Sequence, residues 1–579
     1  MGRRVHKCIT LTLLLAAHRA SACSFLVTDL SAEQLTPAAL AAANKIQRLR
    51  GPDHTGHETF HGIHMVHNLL HLTGTYRVQP LEHGPSLRAV FNGEIYNFRE
   101  LGVRHARSDG DVILPLYLRE GPQFVRRLRG EFAIVVVDLR RERIILARDT
   151  FGTKPMWIGR AAPRRAPNSF WPLWMSRTQP EEVRLPFGVA SYSSALQGLN
   201  LTSELREVAV NTVEVRNLRT FGLVSTYQAF SFDLRQYKTS FEDWNAAFHR
   251  AMLRRTSDLQ HGIMVPTSSG VDSGVLALAL GQLAVDHHVY SIEGPEMGAV
   301  LLQRHRMVAE RFNKSGSSFS HLIGLTHDQY TEAHRFLLKH TESGDNNKWL
   351  WEPVAHEASS IGTSHMLQLA KRDGIKIILS GAGGDEIYTD YFTNYPTSAS
   401  ARSRHSKDAK MYERKPDLVP SFKLGVPPGI RLPTSHEDGR VNIFPADLQP
   451  VFPWFHFFGG MMRTVLTVTE FVAGAHGMEG RYPFLDVDLV QEFLWVSADL
   501  KNSLIKAPLV RYMRNASYPY HSKKISFNAR ANLRGNASAI EWQCLKFPDG
   551  RRHGCIPSSR QQPTASRVQR MKGVGKGNR

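Results

Sequence analysis

The 579-residue sequence predicts two folds in series, a β-rich part from Cys23 to about Leu223 and a doubly wound α/β part from about Phe241. Two patterns carry this expectation. Before Leu223 the apolar runs are short and break at Gly, Asn and Asp turns, as antiparallel strands do. After Phe241, strand-like runs twice end in a Gly- or Ser-rich loop that leads on toward a helix, the grammar of a sheet covered by helices on both faces.

The first segment belongs to neither fold. Arg3, Arg4 and Lys7 precede an apolar stretch from Cys8 to Ala17, and small residues follow at Ala20 and Ala22. This is the layout of a secretory signal with an A-x-A cleavage site, too short to span a bilayer. Cleavage after Ala22 makes Cys23 the N-terminus, and a cysteine with a free α-amine carries its own base beside the thiol. The leader points to the secretory route or an organelle; without a working leader the chain stays in the cytosol.

Leu87–Phe91, Phe132–Asp138 and Arg143–Ala147 then read as strands, and the Pro- and Trp-rich stretch between Arg160 and Pro186 as a loop insertion. Within Phe241–Leu259, residues Phe241, Trp244, Phe248 and Met252 share one helical face. Gly262–Pro266 and Ile375–Leu379 read as buried strands, with a helix over Val275–Ala284 after the first.

Composition is that of an ordinary globular protein, 42% hydrophobic and 21% charged. Past the leader no segment is long and apolar enough to cross a membrane. Much of the net charge of +20 sits in Ala401–Lys415, around Arg551–Arg552 and in the tail from Ser558 to Arg579. No recognisable nucleic-acid module accompanies it, so it reads as solvated basic surface and no specific nucleic-acid partner is expected. Four cysteines make no disulfide framework, although Cys544 and Cys555 can pair in an oxidising compartment. Sequons at Asn200, Asn313, Asn515 and Asn536 matter only on the secretory route.

The chemistry concentrates in a few loops. Ser268-Ser269-Gly270-Val271-Asp272-Ser273 follows a strand and opens a helix. Its backbone N–H groups and hydroxyls suit a phosphate or pyrophosphate, and Asp272 suits a magnesium ion shared with the phosphates. The loop lacks the Gly-Lys-Ser/Thr ending of a Walker A motif, and alone it is equally well a capped helix start. Ser380–Glu386 repeats the pattern, with Asp385 near its end. Two such loops suit a triphosphate bridging two magnesium ligands. Arg481-Tyr482-Pro483-Phe484-Leu485-Asp486 then precedes Lys506 and Arg511, both read on a helix face. Lys506 is either a surface lysine or a group that neutralises charge on a phosphoryl or acyl intermediate. In the first half, Arg50–Asp53 and Phe91–Asn97 read as turns between strands. Asn92 and Gly93 make either a hairpin turn or an oxyanion hole facing a thiolate.

Together these segments resemble the glutamine-dependent asparagine synthetase family from Cys23 to about Phe527. The motifs are Cys23, Arg50–Asp53, Asn92–Asn97, Ser108–Asp111 and Arg148-Asp149 with Gly152 and Pro155. In the second half they are Ser268–Ser273, Ile292, Ser380–Glu386, Arg481–Asp486 and Lys506. The resemblance implies an α+β N-terminal nucleophile (Ntn) glutaminase sandwich over 23–225 and an α/β PP-loop (adenine nucleotide α-hydrolase-like) domain over 226–545. A targeting segment, 1–22, precedes them and a basic tail, 546–579, follows.

The resemblance also implies roles. Cys23 attacks the glutamine amide and Asn92 and Gly93 stabilise the oxyanion, with Arg50, Asn68, Glu94 and Asp109 completing the glutamine site. ATP is held by Thr267, Ser268, Ser269, Gly270, Asp272, Ser273, Ile292, Ser380 and Gly381. Asp272 and Asp385 hold Mg²⁺, and Lys506 serves the adenylation chemistry. Glutamine, aspartate and ATP are then the partners, and a homodimer is compatible with the family.

Four positions depart from the pattern. Ser24 stands where glycine follows the nucleophile, and Ser269 replaces a loop glycine. Asn68 stands where an arginine pairs with the glutamine carboxylate, and an amide lacks both the charge and the bidentate fork. Ala382 stands where the synthetases have glutamate and the β-lactam-forming relatives tyrosine. The expected function is asparagine synthesis through a β-aspartyl-AMP intermediate. The alternative is an amide- or lactam-forming ligase with a different carboxylate substrate and a weak or silent glutaminase. Retention of Cys23, Asp272, Asp385 and Lys506 argues against a catalytically inert relative.

Overall fold

The computed structural model describes residues 23–163, 184–293, 298–312, 319–347, 350, 352–389 and 444–521, with the backbone of Trp542–Lys546 and Arg552–Pro557. The leader, most of the 160–186 insertion, Asn313, Asn536, the stretch 401–415 and the tail beyond 558 lie outside the described residues.

The first half is built from β1 (Ser24–Thr28), β2 (His54–Phe60), β3 (Ile63–Leu69), β4 (Leu81–His83), β5 (Leu87–Ile95) and β6 (Gly130–Asp138), then β7 (Arg143–Arg148), β8 (Trp157–Arg160), β9 (Phe187–Ala190), β10 (Ser203–Glu207), β11 (Thr212–Asn217) and β12 (Leu223–Gln228). They pair into two six-stranded sheets, ordered β10-β8-β9-β1-β3-β2 and β12-β11-β7-β6-β5-β4. Strand alternation decides which face goes where. Phe25, Val27 and Met65 of the first sheet meet Val90, Val135 and Ile144 of the second in one buried cluster. The residues between them face outward. Leu26 and Val66 pack on the helices Pro37–Asn44 and Ser193–Gly198. Phe91, Ile134 and Val136 pack on the helix Ile113–Glu120. The result is a four-layer α-β-β-α sandwich, the Ntn arrangement, with Cys23 immediately ahead of β1.

The second half holds a parallel sheet of β13 (Gly262–Pro266), β14 (His288–Ile292), β15 (Ser320–Ile323), β16 (Ile375–Leu379) and β17 (Glu479–Arg481), ordered β15-β14-β13-β16-β17. Ile263, Val265 and Leu379 pack on one face with helices Glu242–Thr256 and Val271–Gln282. Met264, Tyr290 and Ile378 pack on the other with helices His327–His340, Ala358–Arg372 and Gly460–His476. Strand order reverses between β13 and β16, so the crevice at their C-terminal ends is the topological switch point, where such sheets bind ligands. The two glycine loops leave from just these strand ends.

Several local expectations shift. Asn92–Ile95 is no turn: it continues β5, with Asn92 opposite Ala133 and Gly93 opposite Phe132 on β6. The long ladder with β6 overrides the Asn-Gly turn preference. The helix behind the first loop starts at Val271 rather than Val275, because Gly270 takes the extended N-cap conformation directly after the loop. Lys506 is not on a helix face. It precedes the helix Ala507–Asn515 with φ +47, while Arg511 lies within that helix on an exposed side. In the hairpin Trp542–Lys546 and Arg552–Pro557, position 544 pairs in register with 555. Among the described residues no helix is long and apolar enough to cross a membrane.

Candidate active site

At the switch point the two loops interlock. The Ser268 backbone N–H donates to Ser273 Oγ at 3.0 Å, the two hydroxyls lie 3.1 Å apart, and the Gly270 N–H donates to Ser268 Oγ at 3.1 Å. These bonds curl the loop so that hydroxyls and helix-start N–H groups crowd one spot. Thr267 hangs on β14 through its N–H to the Tyr290 carbonyl at 2.8 Å, beside Ile292 at the end of that strand. The second loop wraps Asp272: a Cβ on Gly381 would stand 2.9 Å from the Asp272 Cβ, and one on Gly384 would overlap its carboxylate. The Ser380 hydroxyl accepts from the Ala382 N–H at 3.3 Å, and Gly383, at φ +97, donates to Glu386 Oε2 at 2.9 Å.

Both loop carboxylates meet one cation. Lys506 Nζ lies 2.7 Å from each oxygen of Asp272 and 2.8 Å from Asp385 Oδ1. Burial alone would lower this ammonium's pKa; the two carboxylates outweigh it and hold the pKa above the ordinary lysine value. A non-glycine residue held at φ +47 costs of order 1 kcal/mol, and such outliers collect at functional sites. Two hard oxygen donors already gathered around a positive charge fit a Mg²⁺ site.

The thiol lies in the sandwich. The Leu70 N–H donates to Cys23 Sγ at 3.1 Å, and Arg50 Nε donates to the Cys23 carbonyl at 3.1 Å. Burial first, then the charges of Glu479, Glu94 and Asp109, push the thiol well above its ordinary pKa. Asp109 accepts the N–H groups of Ile95 and Gly110 at 3.0 and 2.9 Å and the Ser108 hydroxyl at 3.1 Å. Glu94 accepts from the Thr73 hydroxyl at 2.6 Å and pairs with Arg481 at 3.2 Å. Burial raises Glu94 to about 8 and Asp109 to about 6, against the pull of Arg481 on the first and of backbone N–H groups on the second. Also on β5, Asn92 is fully buried, yet among the described residues neither its Oδ1 nor its Nδ2 has a hydrogen-bond partner. Gly93 sits at φ +122 with the Glu131 carbonyl where a Cβ would go, so only glycine fits.

Each cluster lies in a segment that matches a known family. Residues 23–167 match a glutamine amidotransferase domain, beginning at the thiol, and residues 243–521 match asparagine synthase. The chain belongs to the glutamine-dependent asparagine synthetase family. It is 26% identical over 363 residues to asparagine synthetase [glutamine-hydrolyzing] 2 of Oryza sativa subsp. japonica, covering 59% of this chain and 55% of that one. To a putative asparagine synthetase [glutamine-hydrolyzing] 1 of Methanocaldococcus jannaschii it is 25% identical over 354 residues, 58% and 59% of the two chains. A putative asparagine synthetase [glutamine-hydrolyzing] of Mycobacterium bovis is 36% identical over 146 residues, 21% and 22% of the two. The matches with the first two relatives thus span less than two thirds of those proteins' length.

Within this asparagine synthetase-family chain the departures have structural readings. The Ser24 side chain donates to the Gln47 carbonyl at 2.7 Å and accepts from Asn68 Nδ2 at 2.9 Å. The Asn68 amide also bonds Asn44 twice, at 2.8 and 3.0 Å, and the Thr55 hydroxyl at 2.9 Å. Its donors and acceptor are saturated by the protein itself. Arg50 is likewise engaged: it donates to the Glu470 carbonyl at 2.7 Å, to Glu470 Oε2 at 2.5 Å and to the Tyr192 hydroxyl at 3.2 Å. Ala382 is buried in the apolar cluster that also holds Cys23, Leu70 and Val265.

Other motif residues build the frame. Asp149 accepts the N–H groups of Phe132, Phe151 and Thr153, and Arg148 donates to the Gly152, Lys154 and Val208 carbonyls. Asn97 ties Arg127 to Arg129 through their backbones, and Asp53 accepts the His71 N–H at 3.1 Å.

Two neighbours of the candidate sites escape sequence reading. Arg304 donates to the Ser268 and Gly270 carbonyls, clamping the first loop from beneath, and burial lowers its pKa to about 10. Gly274 leaves the room that this guanidinium fills. Glu470 binds Arg50, Lys154 at 2.9 Å and the Tyr482 hydroxyl at 2.7 Å. Both residues act on partners far away in sequence and carry no local motif.

Proposed function

We propose that the chain is an amide-forming ligase that converts aspartate, glutamine and ATP into asparagine, glutamate, AMP and pyrophosphate through a β-aspartyl-AMP intermediate. The observation that carries this reading is the meeting of Asp272 and Asp385 on the Lys506 ammonium at the switch point. The triphosphate lies against the hydroxyls of Ser268 and Ser273 and the helix-start N–H groups, with Thr267, Ser269, Gly270, Ile292, Ser380 and Gly381 shaping the nucleotide site. Asp272 and Asp385 would hold Mg²⁺, which when bound neutralises charge on the phosphates. The aspartate side-chain carboxylate attacks the α-phosphorus and pyrophosphate leaves, while Lys506 holds positive charge beside the reacting phosphate. Ammonia then adds to the acyl carbon and AMP leaves.

The ammonia comes from the sandwich. With residues 1–22 removed, the Cys23 α-amine takes the thiol proton and Sγ adds to the glutamine amide carbon. The Asn92 amide and the Gly93 N–H receive the oxyanion. Glu94 and Asp109 receive the substrate ammonium. Ammonia departs and water hydrolyses the thioester to glutamate. The apolar cluster that holds Cys23, Leu70, Val265 and Ala382 together supports passage of ammonia between the centres without loss to water. We place the working boundary between the units near residue 225.

The test is pyrophosphate release in the presence of aspartate and glutamine. The expected result is release that is abolished in Asp272→Ala; release indifferent to aspartate overturns the substrate assignment. Mass spectrometry of the mature N-terminus tests the cleavage that frees Cys23.

A second reading keeps the ligase but weakens its glutaminase and changes the acceptor. The engagement of Arg50 by Glu470 and the saturation of Asn68 favour it, since Arg50 already spends four of its five N–H groups on Cys23, Tyr192 and Glu470 and the Asn68 amide is fully bonded within the protein. Turnover supported by ammonium salts but not by glutamine decides for it.

A further inference from the structure

We propose that His288, His321 and Asp373 form a binding site for a divalent first-row transition cation of the zinc class, at the end of the parallel sheet opposite the nucleotide loops. His288 opens β14 and His321 is the second residue of β15. The parallel register sets Tyr290 beside His321, so alternation brings His288, Tyr290 and His321 to one face of the sheet. Asp373, at the C-terminal end of the helix Ala358–Arg372, reaches the same place.

The distances suit a metal. One ligand atom from each of the three residues lies within 4.8 Å of the others, and His288 Nδ1 stands 3.0 Å from His321 Nε2. Tetrahedral zinc with bonds of ~2.0–2.1 Å sets its ligand atoms ~3.3 Å apart, so this nitrogen pair has only to open slightly. Tyr290 holds two of the ligands in place. Its ring stacks on His321 at 4.1 Å with planes 5° apart, and its hydroxyl donates to Asp373 Oδ2. Orientation of ligands by such outer partners is what tunes a metal centre. His288 is packed on Phe319, with ring centroids 4.5 Å apart.

The donor set separates this site from the one at the switch point. Two imidazoles and a carboxylate select zinc, cobalt, nickel or copper, whereas Asp272 and Asp385 present only hard oxygens. Both histidines are half-buried and Asp373 is exposed, which leaves the fourth position to water. Ile292 lies four residues along β14 from His288, ~13 Å at the rise of a strand. The cation therefore touches no residue of the nucleotide site. It ties β14 and β15 to the helix that leads into β16, and so acts as a staple of the sheet.

The experiment uses the whole chain, stripped with a chelator and titrated with Zn²⁺ in a calorimeter without nucleotide. The expected result is one more zinc per chain in the wild type than in His321→Ala, and affinity at least tenfold weaker in Asp373→Asn. Zinc should also raise the melting temperature of the wild type more than that of Asp373→Asn. Surface histidines contribute equally to all variants, so the difference is the readout. Co²⁺ should give tetrahedral visible bands that vanish in His288→Ala. Equal zinc stoichiometry and equal thermal response in the wild type and Asp373→Asn overturn the site and leave only a hydrogen bond between the two rings. Asp373 is at the surface, so that variant keeps the fold.

Discussion

Leaving a buried polar group without a partner costs about 1–3 kcal/mol, and Asn92 leaves both ends of its amide in that state. A ligand that supplies the missing partner recovers the cost, and this is why the residue reads as an oxyanion donor. Asn92→Ala should lower glutamine-supported kcat by ~10²–10³-fold, with ammonia-supported turnover unchanged. Parallel assays with the two nitrogen sources check this. Glu94 gives a pH dependence. Burial holds its carboxyl at about 8, so near neutrality the free protein keeps it protonated. In the proposed glutamine site the substrate ammonium needs the Glu94 carboxylate, so binding there would expel a proton. KM for glutamine should therefore fall as pH rises toward 8, by up to about tenfold per unit, and level off above it. Stability runs the other way. The folded state holds this proton more tightly than the unfolded chain, so the contribution is complete below about 4.5 and is lost as pH rises through about 8. A KM series and a set of urea melts across that range separate the two effects.

At the scale of elements, the interlocked loops are held by glycine. A methyl group on Gly384 would enter the Asp272 carboxylate, and misplacing a catalytic group by an ångström costs ~10²-fold in rate. Gly384→Ala should thus lower ATP-dependent pyrophosphate release by about that factor, with glutamine hydrolysis preserved. The strand ends and loops that build this crevice were legible in the sequence, because apolar runs such as Gly262–Pro266 and Ile375–Leu379 stop abruptly at threonine or serine. β5 was less legible. Asn92-Gly93 carries turn residues, and only pairing with the nine-residue β6 keeps it extended. The position of Lys506 ahead of its helix was hidden for a similar reason: its backbone sits in the left-handed region and its ammonium meets two carboxylates more than a hundred residues upstream in the chain. Arg304 binds backbone carbonyls rather than side chains, so no residue pattern announces it.

At the scale of the molecule, the two halves meet across a buried seam of charge. Arg50 and Lys154 reach Glu470 and Arg255 reaches Glu131 at 2.8 Å, each pair joining one half to the other, and Arg481 reaches across to the Glu94 carboxyl. All of these groups are buried, so removing one partner strands the rest. The charges of Lys154 and Arg50 outweigh burial and hold the Glu470 carboxyl below its ordinary pKa. Glu470→Ala should cost about 3–5 kcal/mol, the usual penalty for breaking a buried pair, read as a lower urea midpoint. Glu470→Gln, which keeps the shape, should lose less. The seam also limits how the gene can be divided. Fragments produced separately on either side of residue 225 would each present bare guanidinium, ammonium and carboxylate groups on a face shaped for the other. They should accumulate as a co-purifying pair or fail to stay dissolved, and a free-standing nitrogen-releasing fragment should not be obtainable from this polypeptide.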